Sequence, residues 1–247
     1  MMEQTIEVTR SEDRVVVRLN RPEARNAINQ QMVDELHRVC AELEVEPRIL
    51  IIIGSDGVFA SGADIAELRE RTSVDARKGI NTMLLLRIAD LAMPVIAAID
   101  GPALGAGAEL AYAADFRIGT PRARIGNPET GLGIIAAAGA LWRLPELVGE
   151  PLAKQMLLAG RILDAEEAAA ARLLSEIVEP DELLRAAHAL ADEIATKSVA
   201  ATIRTKALLR GDRGRHPQAD LDAQAVLFDS DDKRERMTAF LNRKKTT

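Results

Sequence analysis

Two stretches of this chain repeat one arrangement, and the repetition restricts the fold more than any other feature. Each begins with an unbroken apolar run, ILIII at 49–53 and VIAAI at 95–99. Each continues through a loop of small residues, FASGADI after the first run and GPALGAGAEL after the second, and enters a helical pattern. A strand that is apolar at every position has no face to offer water, so it belongs inside a sheet covered on both sides. Glycine and alanine just beyond such a strand let backbone amides reach a pocket that larger side chains would close.

The remaining segments fit around these two units. Thr5–Thr9 and Val15–Leu19 read as a strand pair with a turn at Ser11–Arg14. Met32, Leu36, Val39 and Leu43, widened by Val33 and Cys40, recur at helical spacing and should cover a sheet before Pro47 ends the helix. A short helix is expected to begin near Asp64, and a longer one to span about Ala76–Ala92 with Ile80, Met83, Leu84 and Ile88 on its apolar side. Phe116–Ile118 is a short strand, and RARIGNPETGLGIIAAAG after it reads as a glycine-punctuated loop that enters a further helix. From Pro151 onward the pattern is mainly helical, over 152–158, 165–174, 182–196, 199–209 and 220–243. The expected fold class is α/β, with a layered core over 1–190 and a helical region over 191–247 serving packing or assembly.

Composition narrows the function. With 38 acidic against 32 basic residues the net charge is −6, which disfavours nonspecific attraction to nucleic acid. Local basic patches, Arg21 with Arg25 or Arg243 with Lys244 and Lys245, suit a small anion better than a polymer. Cys40 is the only cysteine, so an internal disulfide and a multi-thiolate zinc site are both excluded. His37, His188 and His216 have no metal-binding spacing, and Asp231 with Asp232 reads as a helix start. No metal is expected. The N-terminus lacks a basic segment followed by an apolar one, and no apolar run nears the roughly 18 residues of a membrane span; a soluble, cytoplasmic protein is the expectation. Only 2% of residues are aromatic, so packing rests on Ala, Leu, Ile and Val, and self-association would add burial.

Two features carry chemistry. Glu109 stands in GAGAELAYAA, where a carboxylate amid small apolar residues requires a local purpose or a route to water. Glu129 follows twenty positions later, too far for a shared helix face, though the strand at Phe116–Ile118 could return the chain and bring the acids together. Amides near Ser61 and Ala106 could likewise converge on a carbonyl oxygen and stabilise an oxyanion. Neither loop follows the phosphate-binding GxxxxGK[ST] or the dinucleotide GxGxxG spacing.

The segments NRPEARNAI, FASGADI, PVIAAIDGPALGAGAELAYAAD and GNPETGLGII, then RLPELVG and DDKRERMTAFLNRKK, together resemble the crotonase (enoyl-CoA hydratase/isomerase) superfamily over almost the whole chain. That resemblance implies a spiral of ββα units followed by a C-terminal helical trimerisation region, with trimers often paired into hexamers. It implies an acyl-CoA thioester as substrate, CoA being part of that substrate and no separate cofactor being needed. Ser61 and Ala106 are matched to the oxyanion-hole amides, and Glu109 and Glu129 to the acid/base pair of hydratases. Arg25, Ala63, Asp64, Ile65, Phe240 and Arg243 are matched to CoA-binding positions, the last two completing a neighbouring subunit's site. The activity implied is reversible syn hydration of a trans-2-enoyl-CoA to a 3-hydroxyacyl-CoA, with Glu129 protonating C2 and Glu109 activating water. The alternatives are double-bond isomerisation with Glu129 as main base, another reaction through a thioester enolate, or acyl-CoA binding without catalysis. Three places depart from the family pattern: Ala106 stands at a usual glycine, Asp100 at a usual asparagine, and alanines with Trp142 replace the usual Pro- and Gly-rich stretch in GIIAAAGALWRL.

Overall fold

A computed structural model describes residues 4–243, the last of them by its backbone alone. The basic patch at Lys244 and Lys245 lies outside the described residues. The chain divides into two compact units, one ending at Ala191 and one beginning at Asp192.

The first unit is built on two sheets. Strands β1 (Ile6–Arg10) and β2 (Arg14–Leu19) form the expected antiparallel pair, with Val8 opposite Val17. Helix α1 (Gln30–Val45) starts where the Asn29 side chain accepts a hydrogen bond from the Met32 amide, and buries Met32, Val33, Leu36, Val39, Cys40 and Leu43. Burial pushes the Cys40 thiol up to about 12. Strand β3 (Ile49–Ile53) then pairs parallel to β2, completing the β-α-β crossover, and is buried along its whole length.

Asp64 caps helix α2 (Ile65–Glu70). Two short helices follow, α3 (Ser73–Lys78) and α4 (Ile80–Ala89), where the sequence suggests one from 76 to 92. Gly79 between them adopts φ +63°, a left-handed conformation that ends the first and reorients the second. The reorientation buries Leu84, Leu85 and Ile88 and leaves Met83 more than half exposed, against its expected inward position.

Next come β4 (Val95–Ile99), β5 (Pro102–Leu104), α5 (Ala106–Ala113), β6 (Phe116–Gly119) and β7 (Arg124–Gly126). They are followed by α6 (Ala140–Val148), α7 (Glu150–Ala159), β8 (Ile162–Asp164), α8 (Ala165–Ala170), β9 (Glu176–Ile177) and α9 (Leu183–Ala195), which crosses into the second unit. The large sheet runs β1-β2-β3-β4-β6-β9, parallel from β2 onward. A small sheet runs β5-β7-β8, with β5 parallel to β7. Strands β5, β7, β8 and β9 correspond to segments that read as loop or helix in the sequence. They have only two or three residues each, too few to show alternation.

The second unit holds α10 (Val199–Arg210), α11 (Gln218–Phe228) and α12 (Asp231–Arg243). The single helix expected over 220–243 is interrupted because the Ser230 hydroxyl accepts the Lys233 amide at 3.2 Å, starting a new helix there. Among the described residues no helix is long and apolar enough to cross a membrane.

One buried side chain ties the early loop to the turn after β3. Asn26 is fully buried, with φ +55°, a conformation that asparagine tolerates better than most residues. Its Oδ1 accepts from the Arg21 amide and the Ser55 hydroxyl, each at 3.0 Å, and its Nδ2 donates to the Ser55 and Val58 carbonyls. Beside it the Ile28 amide donates to the Gly62 carbonyl and the Asp64 amide to the Ile28 carbonyl. Asn26→Ala should therefore lower stability by about 2–4 kcal/mol, by orphaning buried partners and forcing alanine into a left-handed backbone. Urea unfolding midpoints of the two proteins would measure this.

Candidate active site

The small sheet gathers three loops. The Pro102 carbonyl accepts the amides of Phe59 and Ala60, both at 3.1 Å, and the Leu104 amide donates back to the Ala60 carbonyl at 3.0 Å. Ala60 therefore lies beside Ala103 in parallel, while on its other edge β5 pairs with β7 and the Gly105 amide reaches the Gly126 carbonyl at 2.9 Å. Because all three segments run in one direction, residues 61–65, 105–109 and 127–129 emerge at the same end. Helix α5 fits so closely that a Cβ on Gly107 would lie 2.2 Å from the Ala60 carbonyl oxygen. Gly105, at φ +51°, would carry its Cβ 3.2 Å from Glu129 Oε1 and 3.8 Å from the Gly62 Cα.

These loops border a cavity of about 520 Å³. Ser61, Gly62, Ala63, Ala106, Glu109 and Glu129 all line it, so the two acids separated in sequence meet there. Its apolar wall includes Ile65, Leu68, Ile80, Leu132, Ile134 and Ile135. Glu109 is buried, and its Oε1 accepts the amides of Ala138 at 2.7 Å and Ala140 at 3.1 Å. Burial pushes its carboxyl up to about 7, and the nearby Glu129 adds to the rise; the two amides and the Arg143 guanidinium oppose it. Burial likewise raises Glu129, against a donated hydrogen bond from Asn127. Glu129 Oε2 is shielded from solvent and has no hydrogen-bond partner among the described residues.

The donors differ from expectation in one respect. The Ser61 amide donates to the Arg25 carbonyl at 3.1 Å, so it is already engaged. Ala63, two residues on, lines the same cavity, and among the described residues nothing takes up its amide. The Ala106 amide, first in α5, is also without an intrahelical acceptor.

Of the positions matched to CoA binding, Ala63 and Ile65 line the cavity, and Ile65 is more than half exposed. The Asp64 carboxylate is occupied otherwise: Oδ1 accepts the amides of Ala66 and Glu67, and Oδ2 pairs with Arg21 at 3.1 Å. Those hydrogen bonds, against the opposing effect of burial, hold its carboxyl below the usual range. The Arg25 side chain is exposed and does not line the cavity. Phe240 is exposed on α12 in the second unit, and the Arg243 side chain lies outside the described residues. The histidines are engaged elsewhere: His37 with Arg87, His188 with Arg14, and His216 with Asp220.

Residues 10–247 match the family model described as enoyl-CoA hydratase/isomerase. The chain belongs to the enoyl-CoA hydratase/isomerase family. It is 36% identical to a short-chain-enoyl-CoA hydratase of Clostridium acetobutylicum, over 93% of this chain and 92% of that protein. It is also 36% identical to a crotonyl-CoA hydratase of Syntrophomonas wolfei, over 99% and 98%. A solved structure of an enoyl-CoA hydratase from Bacillus anthracis superposes with a TM-score of 0.92 at 30% identity, covering 97% of each chain. The α/β architecture is thus that of the crotonase fold.

The alanine-rich stretch, expected to depart from the family pattern, holds Glu109 through its main chain, because the donors at 138 and 140 are backbone amides. Asp100 also has a local partner set, accepting from the Thr120 hydroxyl and Arg122. Sequence reasoning missed those two amides and missed Asn127, which donates to Glu129, and Tyr112, which donates to Asn127. The available signal was the only tyrosine of the chain placed in an alanine-rich helix.

Glu109 binds its proton more tightly in the folded chain, at about 7, than at its ordinary 4.5. That stabilisation is fully present below 4.5 and is lost as pH rises through 7, a difference on the order of 3 kcal/mol. Glu109→Gln, which keeps an acceptor for both amides, should therefore be more stable than the parent at about pH 8.5. The advantage should shrink toward about pH 5, as denaturant midpoints at the two pH values would reveal.

Proposed function

We propose that this chain adds water reversibly, in syn fashion, across the double bond of a trans-2-enoyl-CoA to give a 3-hydroxyacyl-CoA. The observation that carries this reading is the meeting of two buried acids of raised proton affinity with unengaged backbone amides in one cavity. The amides of Ala63 and Ala106 would hold the thioester oxygen and bind it more strongly as it gains enolate charge; Ala63 takes the place first expected of Ser61. Water attacks C3 as Glu109 accepts its proton, and Glu129 gives its proton to C2. One proton enters and one leaves the pair, so the two carboxyls titrate as a unit and exchange roles in the reverse direction. This inventory closes without a metal or redox group.

The same reading assigns the CoA moiety to the mouth of the cavity at Ala63 and Ile65, with Arg25 joined to that wall through its carbonyl, which accepts the Ser61 amide. Phe240 and Arg243 would serve a neighbouring subunit's CoA site in a trimer or a dimer of trimers. The exposed apolar residues Met237, Phe240 and Leu241 of α12 favour such an assembly. Asp64 is better assigned to shaping the loop through its cap and its Arg21 pair.

Glu109→Gln and Glu129→Gln should each slow 3-hydroxyacyl-CoA formation by about 10²–10⁴-fold with the fold retained. Separate measurement of double-bond migration distinguishes hydration from isomerisation: an enzyme using Glu129 alone would survive loss of Glu109. Ala106→Pro deletes one proposed oxyanion donor at a helix position that accepts proline. It should cost about 10²–10³-fold in kcat, read alongside circular dichroism to confirm retention of α5. Turnover at parental rates in any of these variants would remove the corresponding role.

A further inference from the structure

Behind Glu129 lies a buried pair of residues to which the proposed hydration assigns no part. Asn127 is almost wholly buried, and its Nδ2 faces two acceptors, Glu129 Oε1 at 3.3 Å and the Gly105 carbonyl at 3.4 Å. The Tyr112 hydroxyl, also buried, sits 2.9 Å from Asn127 Oδ1. The amide orientation follows from this setting: a backbone carbonyl can only accept, so the nitrogen must face Gly105, leaving the oxygen to receive the Tyr112 proton.

Gly105 C=O and Ala106 N–H belong to one peptide unit. In a trans peptide they point in opposite directions, so a donor on the carbonyl holds the plane from behind while the amide points away. That donor also strengthens the amide through hydrogen-bond cooperativity. We propose that Asn127, locked by Tyr112, is a positioning residue that aligns the Glu129 carboxyl and the Gly105–Ala106 peptide with each other. It would hold proton donor and oxyanion donor in one register without touching substrate. The inference rests on the hydratase reading, since it presumes the roles of Glu129 and Ala106.

The groups facing this cluster are Glu109 and Tyr112 from α5, Arg143 from α6, which acts on Glu109, and Arg117 from β6, which acts on Tyr112. Arg117 is itself bound to the carbonyls of Ala111, Ala114 and Leu173. Burial keeps the Tyr112 phenol protonated well above the ordinary range, so it remains a donor.

The test is steady-state hydration across pH with Tyr112→Phe, Asn127→Leu and Glu129→Gln. Tyr112→Phe keeps the ring and removes only the hydroxyl; kcat should fall about tenfold with KM within twofold of the parent. Asn127→Leu removes both donated hydrogen bonds and should lower kcat further. Because its donor favours the ionised carboxyl, the pH–kcat profile should move upward by about one unit. Parental kcat and pH profile in Tyr112→Phe, or a loss confined to KM, would overturn the proposal. Should Asn127→Leu fail to fold, Tyr112→Phe decides. Full activity in Glu129→Gln would instead reject the underlying assignment of the acid, and the positioning role with it.

Discussion

The site depends on a short run of main-chain pairing around Pro102–Gly105. Two amides on the Pro102 carbonyl, one return bond from Leu104 to Ala60, and the Gly105 to Gly126 bond place three loops side by side. Each bond contributes modestly to stability, but together they set register, and register decides which atoms share the cavity. A one-residue slip between β5 and β7 would move Glu129 away from Glu109. The large parallel sheet supplies the rigid backing, because its central strands are buried along their length and leave little freedom to shift.

Catalytic potential here opposes stability. Removal from water raises the proton affinity of both carboxyls, and Glu129 raises that of Glu109 further, so a fold selected for stability alone would not retain both. The cost is offset locally, by amides of the 138–140 segment at Glu109 and by the Asn127 side chain at Glu129. The compensation is incomplete: Glu129 Oε2 is shielded from solvent and has no partner among the described residues.

Much of the fold could be read from the chain before any coordinates. Continuous apolar strands such as 49–53 and 95–99 and the stripe of α1 have strong periodic signals, and the order of loop motifs suggested the family. The small sheet was not legible because its strands are three residues long and owe their conformation to pairing rather than to pattern. Glu109 was detectable as a charge in an apolar segment. Its partners were not, since backbone amides leave no mark in sequence. The engagement of the Ser61 amide was hidden for the same reason: which amide of a loop is free depends on where the Arg25 carbonyl happens to fall. The division at Gly79 was readable in principle, but an apolar stripe on both sides concealed it.

The bonds from 138 and 140 to Glu109 have a consequence for how this cavity can diversify. Since main-chain atoms form them, the exposed side chains of that segment, Ala137, Leu141 and Trp142, can be exchanged without dismantling the acid it supports. On the proposed hydration, selectivity for the acyl group and competence for proton transfer would reside in separable parts of one segment. A lineage could then retune what it accepts while inheriting unchanged the acid proposed to react.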